Sequence, residues 1–361
     1  MRTVPAPILG PGLFRDPTLW TAFSPEKLAP AIRPFLLALG LTALAVGPAR
    51  WIALRIGVVA HPGQRRVHRR STPLLGGLAM LVGFSLTAWY FSGDARTAGL
   101  LLTAAAITAI MVVDDLRGLS APLKLACQVV VSLIAIVGFG FQITFISLPG
   151  GIWHLAWLAI PITLIWFVGL QNTVNLLDGV DGLAAGVVAI VAAAILLAAV
   201  NLQETEVVIL SGALIGACAG FLLFNWHPAR IFMGDAGSHF LGFTLAALSV
   251  IALAKVTVAL ALAVPILALA IPIADTGWAI LRRRLRGQSI ATPDAEHLHH
   301  RMLDYGLSPR ETALIFYFST AIFAAFGLTI YGHRKVLVGA MLLLLGGIVV
   351  IVVRRSRRTG R

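Results

Sequence analysis

The stretch LAWLAIPITLIWFVGLQNTVNLLDGVDGLAAGVVAIVAAAILLAAV, residues 155–200, joins two long apolar runs through one short polar segment. The runs at 155–174 and 183–200 each have the length with which an α-helix crosses the hydrocarbon core of a bilayer. Polar residues spaced three apart begin in the last turn of the first run and continue toward the second: Asn172, Asn175, Asp178 and Asp181. The stretch therefore predicts two membrane helices that are joined by a polar turn.

Similar apolar runs fill the rest of the chain. Of its 361 residues, 58% are apolar and only 12% are charged, which is about half the charged share of a soluble domain. Because backbone polar groups in lipid need partners within their own segment, helices are the expected form of these runs. The sequence thus predicts an all-α polytopic membrane protein, a bundle of about eleven transmembrane helices. We place them at 34–57, 74–92, 97–113, 122–141, 155–174, 183–200, 207–224, 239–254, 257–281, 312–331 and 335–353.

The distribution of basic residues predicts the orientation of the bundle. With the loop at 58–73 in the cytoplasm, 20 of the 28 Lys and Arg residues lie on the cytoplasmic side, as the positive-inside rule favours. The N-terminus is then outside and the C-terminus is cytoplasmic. A net charge of +13 could also suggest nucleic acid, but the arginines cluster beside apolar runs, where anionic headgroups would attract them. We therefore expect the lipid bilayer as a partner and no nucleic acid.

The predicted domain organisation is simple. A Pro-rich N-terminal segment at 1–33 precedes a single transmembrane catalytic domain at 34–353, and a basic cytoplasmic tail follows at 354–361. The polar motifs of the domain all fall on its predicted cytoplasmic loops, at 58–73, 114–121, 171–182, 225–238 and 282–311. This asymmetry predicts a site at the cytoplasmic surface of the membrane.

The polar segment of the opening stretch is the first candidate part of that site. On a helix, positions 172, 175 and 178 fall within an arc of about 120°. Gly179 and Gly182 then free the backbone, so that Asp181 can turn toward the same place. The alternative is a solvated helix end in which Asn and Asp form ordinary turns.

A second candidate part is the adjacent pair Asp114 and Asp115, which follows an apolar run directly. Adjacent carboxylates repel each other, so a divalent cation would stabilise them. The alternative is a capping pair at a helix start. Lys124 lies just inside the next span, where it could extend to headgroups or hold a lipid phosphate.

Two further motifs come later in the chain. In FMGDAGSHF (232–240), small residues would let backbone amides approach an anion while Asp235 holds a cation, although such loops are also common turns. DAEHLHHRM (294–302) contains three histidines and Arg301, which suit phosphates or a nucleobase; zinc and a plain surface loop are the alternatives. Asp275 could join the site or pair with a polar neighbour.

Five stretches together resemble the polyprenyl-phosphate sugar-1-phosphate transferases. They are RRVHRRSTPLLGG (65–77), DDLRGLSAPLKLACQ (114–128), NTVNLLDGVDGLAAG (172–186), FNWHPARIFMGDAGSHFLG (224–242) and DAEHLHHRMLDYGLS (294–308). HLHHR followed by GLS is more similar to the GlcNAc-1-phosphate branch than to the phospho-MurNAc-pentapeptide branch, whose members usually carry three consecutive histidines.

The resemblance implies a magnesium-dependent enzyme of the bacterial cytoplasmic (inner) membrane, with Mn²⁺ as a substitute cofactor and the active site on the cytoplasmic face. It would transfer an N-acetylamino-sugar 1-phosphate from a UDP-sugar to undecaprenyl or another polyprenyl phosphate. GlcNAc 1-phosphate is the group that we expect. UMP would be released in this first membrane step of cell-envelope glycan synthesis. The alternatives are phospho-MurNAc-pentapeptide transfer and, in a different class, a transporter or flippase. Transporters usually place ionisable residues near the bilayer midplane. Here the acidic residues cluster at the predicted cytoplasmic ends of the spans, which disfavours a transporter. The oligomeric state stays open, a homodimer included.

The resemblance also implies roles for individual residues. The implied catalytic residues are Asp114, Asp115, Asp178 and Asp181. The implied metal ligands are Asp235 and Asn175. The implied substrate-binding residues are Lys124, Asn172, His297, His299, His300, Arg301, Arg66 and His68. The first motif departs from the family, since His61 stands where many relatives have Asp, and Arg66 where they usually have Lys.

Overall fold

The computed structural model of the chain describes residues 25–60, 71–148, 151–253, 263–285 and 297–329. Several predictions lie outside these ranges, namely the last span at 335–353, the basic tail at 354–361, and Arg66 and His68 in the first cytoplasmic loop.

Most of the described chain is helical. The helices are α1 (Pro25–Ile56), α2 (Gly76–Ser92), α3 (Ala95–Arg117), α4 (Ala121–Leu133), α5 (Ala159–Leu177), α6 (Leu183–Asn201), α7 (Thr205–Asn225), α8 (Gly234–Leu253), α9 (Ala263–Ala268), α10 (Ala270–Leu285), α11 (Leu298–Asp304) and α12 (Pro309–Thr329). A π-helical turn, Ile134–Gly138, extends α4, and a 3₁₀ turn, Ala156–Leu158, precedes α5.

Among the described residues, eight helices are long and apolar enough to cross a membrane, namely α1, α3 to α8 and α12, while α2 is a shorter apolar helix. The predicted class, an all-α multi-pass membrane protein, is therefore confirmed. Two boundaries differ from the prediction. Helix α1 already includes residues 25–33, and the predicted span at 257–281 contains two helices that meet at Leu269. Pro272 has no N–H to donate to the carbonyl one turn earlier, so helical bonding is interrupted there.

Helix α8 is the centre of the bundle and is buried along almost its whole length. Phe240 of α8 meets Phe84 of α2 edge to face, with ring centroids 5.7 Å apart. Phe243, almost one turn later, meets Phe167 of α5 at 4.9 Å. Such edge-to-face pairs add to the stabilisation from apolar burial. The packing fixes α8 against α2 and α5, and hence fixes the position of the residues at its N-terminus.

Helix α7 packs closely on α1 through three glycines that are spaced four residues apart. A Cβ atom at Gly212 would lie 2.7 Å from the carbonyl oxygen of Ala31, and one at Gly220 would lie 2.5 Å from that of Leu39. At Gly216, between them, a Cβ atom would lie even closer to the carbonyl oxygen of Phe35. Small residues at this spacing let two membrane helices approach backbone to backbone.

Two short antiparallel pairs lie at the ends of the helices. β1 (Val59–Ala60) pairs with β2 (Thr72–Pro73) and closes the base of the predicted loop at 58–73. β3 (Phe145–Leu148) pairs with β4 (Gly151–His154) in a hairpin between α4 and α5. That hairpin falls in the segment 142–154, which lies between the predicted spans at 122–141 and 155–174.

Candidate active site

The site is built around the N-terminus of α8, to which α3 contributes its last turn. Asp115 accepts hydrogen bonds from the backbone N–H groups of Asp235, at 2.9 Å, and of Ala236, at 3.1 Å. The first amides of a helix lack partners within the helix, and a carboxylate there is favourable. Asp115 therefore caps a helix, as the capping alternative proposed, but the helix is distant in sequence. At Gly234 a Cβ atom would lie 2.5 Å from the Asp115 carboxylate, so a side chain there would displace this contact.

Lys124, from α4, joins two carboxylates of this centre. Its ammonium nitrogen is 2.5 Å from Oδ2 of Asp114 and 2.5 Å from Oδ2 of Asp235. The other oxygen of Asp235 accepts a hydrogen bond from the Asn175 side chain at 3.0 Å. Residues from four separate helices thus meet at one point, as the sequence predicts. Lys124 neutralises carboxylates here and does not simply extend to headgroups.

Asp178 follows the last residue of α5 and faces the same centre. Burial raises the pKa of its carboxyl well above the ordinary value, and the charges of Asp235, Asp115 and Asp181 add to this effect. Within the described residues, its carboxylate has no hydrogen-bond or ion-pair partner. A bound cation would offset these effects and stabilise the ionised form of Asp178.

The donor set fits magnesium chemically. Asp178 and Asp235 provide carboxylates, and Asn175, whose amide nitrogen donates to Asp235 and Ser238, keeps a carbonyl oxygen. In the described part of the chain, no three acidic or histidine side chains form a ready metal cage. Magnesium does not require such a cage, since one or two carboxylates usually hold it together with waters and substrate phosphates.

Asp181 makes different contacts from the other acidic residues. Its Oδ2 atom accepts hydrogen bonds from Nδ1 of His227, at 2.7 Å, and from the backbone N–H of Ala229, at 3.0 Å. Asn225 ties the same two loops together, because its side-chain oxygen accepts from the N–H of Gly182 at 2.9 Å. The geometry thus assigns Asp181 to holding the loop after α7, and its catalytic role stays a prediction.

Asn172 lies behind Asp235 in a polar network inside the bundle. Its amide nitrogen donates to Oε1 of Gln128 at 2.7 Å. Gln128 therefore presents its nitrogen to Nε2 of His239, at 2.9 Å, and the other ring nitrogen of His239 donates to the carbonyl oxygen of Asp235 at 2.8 Å. This order of donors makes Asn172 a support for the backbone of Asp235. The substrate contact that the sequence predicts for Asn172 stays a prediction.

The histidine segment, residues 297–300, packs against the turn that carries Asp178. His299 is buried, and a Cβ atom at Gly179 would lie 2.6 Å from its Nε2 atom. The rings of His297 and His299 are parallel, with centroids 5.8 Å apart. His300 lies beside His299, whereas the side chain of Arg301 is exposed. Two predicted motifs, 120 residues apart, are thus brought together, while the described residues contain no zinc-type cluster.

Asp275 and several other residues complete the site, and most of them carry no signal in the sequence. The sequence leaves open whether Asp275 joins the site or pairs with a polar neighbour, and in the structure it pairs with His297. Arg310 donates two hydrogen bonds to the carbonyl oxygen of His227, at 2.9 and 2.7 Å. The hydroxyl of Tyr317 donates to the carbonyl oxygen of Gly182 at 2.5 Å. Among the site residues that the sequence analysis did not predict, only Gln128 and His239 carry a signal in the sequence, because each is a polar residue inside an apolar run.

The sequence of the chain is similar to those of several known proteins. The sequence profile described as glycosyl transferase family 4 matches residues 97–253. The chain is 37% identical, over 83% of its length and 84% of the relative's, to the probable undecaprenyl-phosphate N-acetylglucosaminyl 1-phosphate transferase of Bacillus subtilis (strain 168). It is 35% identical, over 81% and 80%, to the decaprenyl-phosphate N-acetylglucosaminephosphotransferase of Mycobacterium tuberculosis (strain ATCC 25618 / H37Rv).

A relative from the other branch is also similar. The phospho-N-acetylmuramoyl-pentapeptide-transferase of Synechococcus sp. (strain JA-3-3Ab) is 35% identical over 77% of this chain and 84% of the relative. The profile match at residues 97–253 includes the segments whose polar side chains meet at the N-terminus of α8. The chain therefore belongs to glycosyl transferase family 4, the polyprenyl-phosphate sugar-1-phosphate transferases.

Proposed function

We propose that this protein transfers GlcNAc 1-phosphate from UDP-GlcNAc to undecaprenyl or another polyprenyl phosphate and releases UMP. The observation that carries this proposal is the meeting of Asp114, Asp115, Lys124, Asn175 and Asp235 at one end of a membrane bundle. Relatives named for GlcNAc-phosphate transfer to polyprenyl phosphates support the substrates. The product would be the first lipid-linked intermediate of a cell-envelope glycan.

The reaction has to bring two polyanions together at the membrane surface. Magnesium, when bound, would neutralise the charge that develops on the leaving phosphate, and Mn²⁺ has the same oxygen-ligand preference. Asp178, Asp235 and the Asn175 carbonyl oxygen would hold it. Lys124 would hold a substrate phosphate, and the histidine segment would bind the nucleotide sugar. The network of Asn172, Gln128 and His239 would keep Asp235 in place to bind the metal.

This reaction needs little help from a general base. A phosphate monoester has its second pKa near about 6, so most of the acceptor is already a dianion at neutral pH. Positioning and charge neutralisation should then supply most of the rate acceleration. Asp115 is engaged by two backbone amides and Asp114 by Lys124 and Leu119. We therefore favour direct attack by the lipid phosphate over a two-step route through an aspartyl phosphate.

The location that we propose is the bacterial cytoplasmic membrane, with the site on the cytoplasmic face and the N-terminus outside. Supporting this, the site lies at the end of the bundle to which the positive-inside rule assigns 20 of the 28 basic residues. The donor is a cytoplasmic nucleotide sugar, which this orientation would make accessible.

A radiolabel assay tests the function directly. Purified protein in detergent is given undecaprenyl phosphate, Mg²⁺ and, in turn, UDP-GlcNAc, UDP-MurNAc-pentapeptide or another UDP-N-acetylamino sugar, and lipid-linked label and UMP are measured. We expect label in the lipid with UDP-GlcNAc. Transfer from UDP-MurNAc-pentapeptide alone would instead place the chain with the Synechococcus relative. With the same protein reconstituted into vesicles, movement of a substrate into the vesicles without release of UMP would indicate a transporter.

The direct mechanism makes its own prediction. Incubation with labelled UDP-GlcNAc and Mg²⁺, without lipid acceptor, is expected to release far less than one UMP per protein, because no nucleophile other than the lipid phosphate is used. UMP is measured by rapid quench and chromatography, and addition of the lipid acceptor to the same sample is the positive control. Stoichiometric UMP together with a phosphosugar adduct on Asp114 or Asp115 would establish the two-step route.

His299 is expected to act on the donor as a neutral imidazole. Burial, with the nearby His300 and His297, lowers its pKa to about 3, so the ring is uncharged over the working pH range. His299→Ala should raise KM for UDP-GlcNAc by about tenfold through the loss of a buried hydrogen-bonding group, with KM for undecaprenyl phosphate unchanged. The ratio of mutant to wild-type KM should be the same at pH 6 and pH 8.

Initial rates over a range of donor concentrations check this prediction. His154→Ala, on the exposed face of the β3–β4 hairpin, is the matched control and should leave both KM values as in the wild type. An unchanged dependence on donor concentration in His299→Ala would remove the histidine from the donor site.

A further inference from the structure

Asp275 makes two kinds of contact with the start of the histidine segment. Its Oδ2 atom is 3.1 Å from Nδ1 of His297. Both of its carboxylate oxygens also lie 3.2 Å from the backbone nitrogen of Leu298, the first residue of α11. One carboxylate on α10 therefore fixes both the ring of His297 and the direction in which the short helix α11 begins.

His297 transmits this constraint to the site. It is only 3% exposed, as is His299, so neither ring has free space in which to turn. The two rings are parallel, with an interplanar angle of 1°, and His299 in turn contacts Gly179 beside Asp178. A continuous row of contacts thus leads from Asp275 through two imidazoles to the turn that carries a candidate metal ligand.

The carboxylate is well suited to this position. The N–H of Leu298 and the Nδ1–H of His297 are donors that approach from neighbouring directions, and an ionised carboxylate has acceptor sites for both. Because Asp275 can only accept here, Nδ1 of His297 is the donor in this contact. A carboxylate that orients an imidazole in this way fixes its tautomer and ring plane.

We propose that Asp275 is a positioning residue for the donor subsite. It holds His297, and through His297 it holds His299 against Gly179, so that the imidazoles meet the nucleotide sugar in a fixed orientation. The inference rests on the proposed function, because the nucleotide sugar is the ligand of the histidine segment. Asp275 itself does not contact the reacting atoms.

Kinetics of the full-length protein in detergent provide the first test. Asp275→Ala is expected to raise KM for UDP-GlcNAc by about tenfold, with KM for undecaprenyl phosphate and kcat within about threefold of the wild type. Asp275→Asn keeps one acceptor oxygen and should show a smaller rise. Asp304→Asn, an exposed carboxylate at the end of α11, is the matched control and should behave like the wild type. A fall in kcat with unchanged KM values would overturn the proposal.

A double-mutant cycle tests whether Asp275 acts through His297. In a His297→Ala background, Asp275→Ala should raise the donor KM by less than about twofold further, because residues of one network are not additive. Two full, multiplicative effects would mean that Asp275 acts independently of His297, and the proposal would fail.

A chemical readout separates this inference from the proposed function. Diethylpyrocarbonate labelling of His299, followed by mass spectrometry, should be slow in the wild type and about tenfold faster in Asp275→Ala, as for a group released by local opening. His239, buried in the bundle, is the internal reference. Unchanged labelling of His299 would overturn the positioning role even if transfer is normal. Faster labelling in a protein that transfers no sugar would uphold it while the proposed function fails.

Discussion

Asp235→Asn is expected to lower turnover by about 10³-fold or more, while the protein accumulates in the membrane at the wild-type level. The carboxylate of Asp235 is the meeting point of the site, since Lys124 and Asn175 each bind one of its oxygens. An amide keeps the shape of the side chain but removes the negative charge that a divalent cation requires. The fold should persist, because Asp115 caps α8 through backbone amides that the substitution leaves in place.

The measurement is turnover over a wide range of Mg²⁺ concentrations, together with Mn²⁺ binding by electron paramagnetic resonance in the absence of substrates. Asp235→Asn should lose both the bound Mn²⁺ and the Mg²⁺-dependent rate. Asp94→Asn is a suitable control, because Asp94 is an exposed carboxylate that caps α3 at the end of that helix far from the site. Near-normal activity of Asp235→Asn would show that the metal assignment is wrong.

The sequence predicts the helices well for a physical reason. An apolar run in lipid satisfies its own backbone, so its composition and length almost determine its structure. Where the structure differs from the predicted helices, the cause is a helix-breaking residue or a contact that the pattern of apolar residues does not show. Pro272 interrupts a span that looks continuous, and the pairing of β3 with β4 gives structure to a segment that has no polar signal.

The convergence of the polar loops was also predictable, because alternate loops of a helical bundle must lie on the same side of the membrane. The individual contacts were not. Asp114 and Asp115 are neighbours in the sequence, and the sequence does not show that the first binds Lys124 whereas the second caps α8. Likewise, Asn172 and His239 are visible in the sequence as polar residues in apolar runs, but only the packing of α4, α5 and α8 shows that they support Asp235.

Lys124→Met is expected to lower turnover by about 10²-fold and, at the same time, to strengthen the binding of a divalent cation. Lys124 is the cation that lies between Asp114 and Asp235, at 2.5 Å from each. Without it the carboxylates repel each other, so the variant should be less stable than the wild type when Mg²⁺ is absent. Removing one partner of a buried pair costs about 3–5 kcal/mol, and the partial exposure of Lys124 should reduce this to about 1–3 kcal/mol.

The gain in metal affinity follows from the same geometry. Because Lys124 occupies Oδ2 of Asp235, a cation that uses this oxygen must displace the ammonium, and in the variant no displacement is needed. We expect the Kd for Mn²⁺ to fall by about tenfold, as removal of one nearby like charge at a partly solvated site allows. Catalysis should nevertheless fail, because the methionine cannot hold a substrate phosphate.

Thermal unfolding with and without Mg²⁺, Mn²⁺ titration and turnover distinguish the two roles of Lys124. Lys124→Arg is the control, because it keeps the charge but replaces a compact ammonium with a planar fork, and its Mn²⁺ affinity should stay close to that of the wild type. Weaker Mn²⁺ binding by Lys124→Met would show that the lysine does not stand in the place of the cation. Since the only change is one positive charge between two carboxylates, opposite shifts in metal affinity and in turnover would be difficult to explain by any general loss of structure.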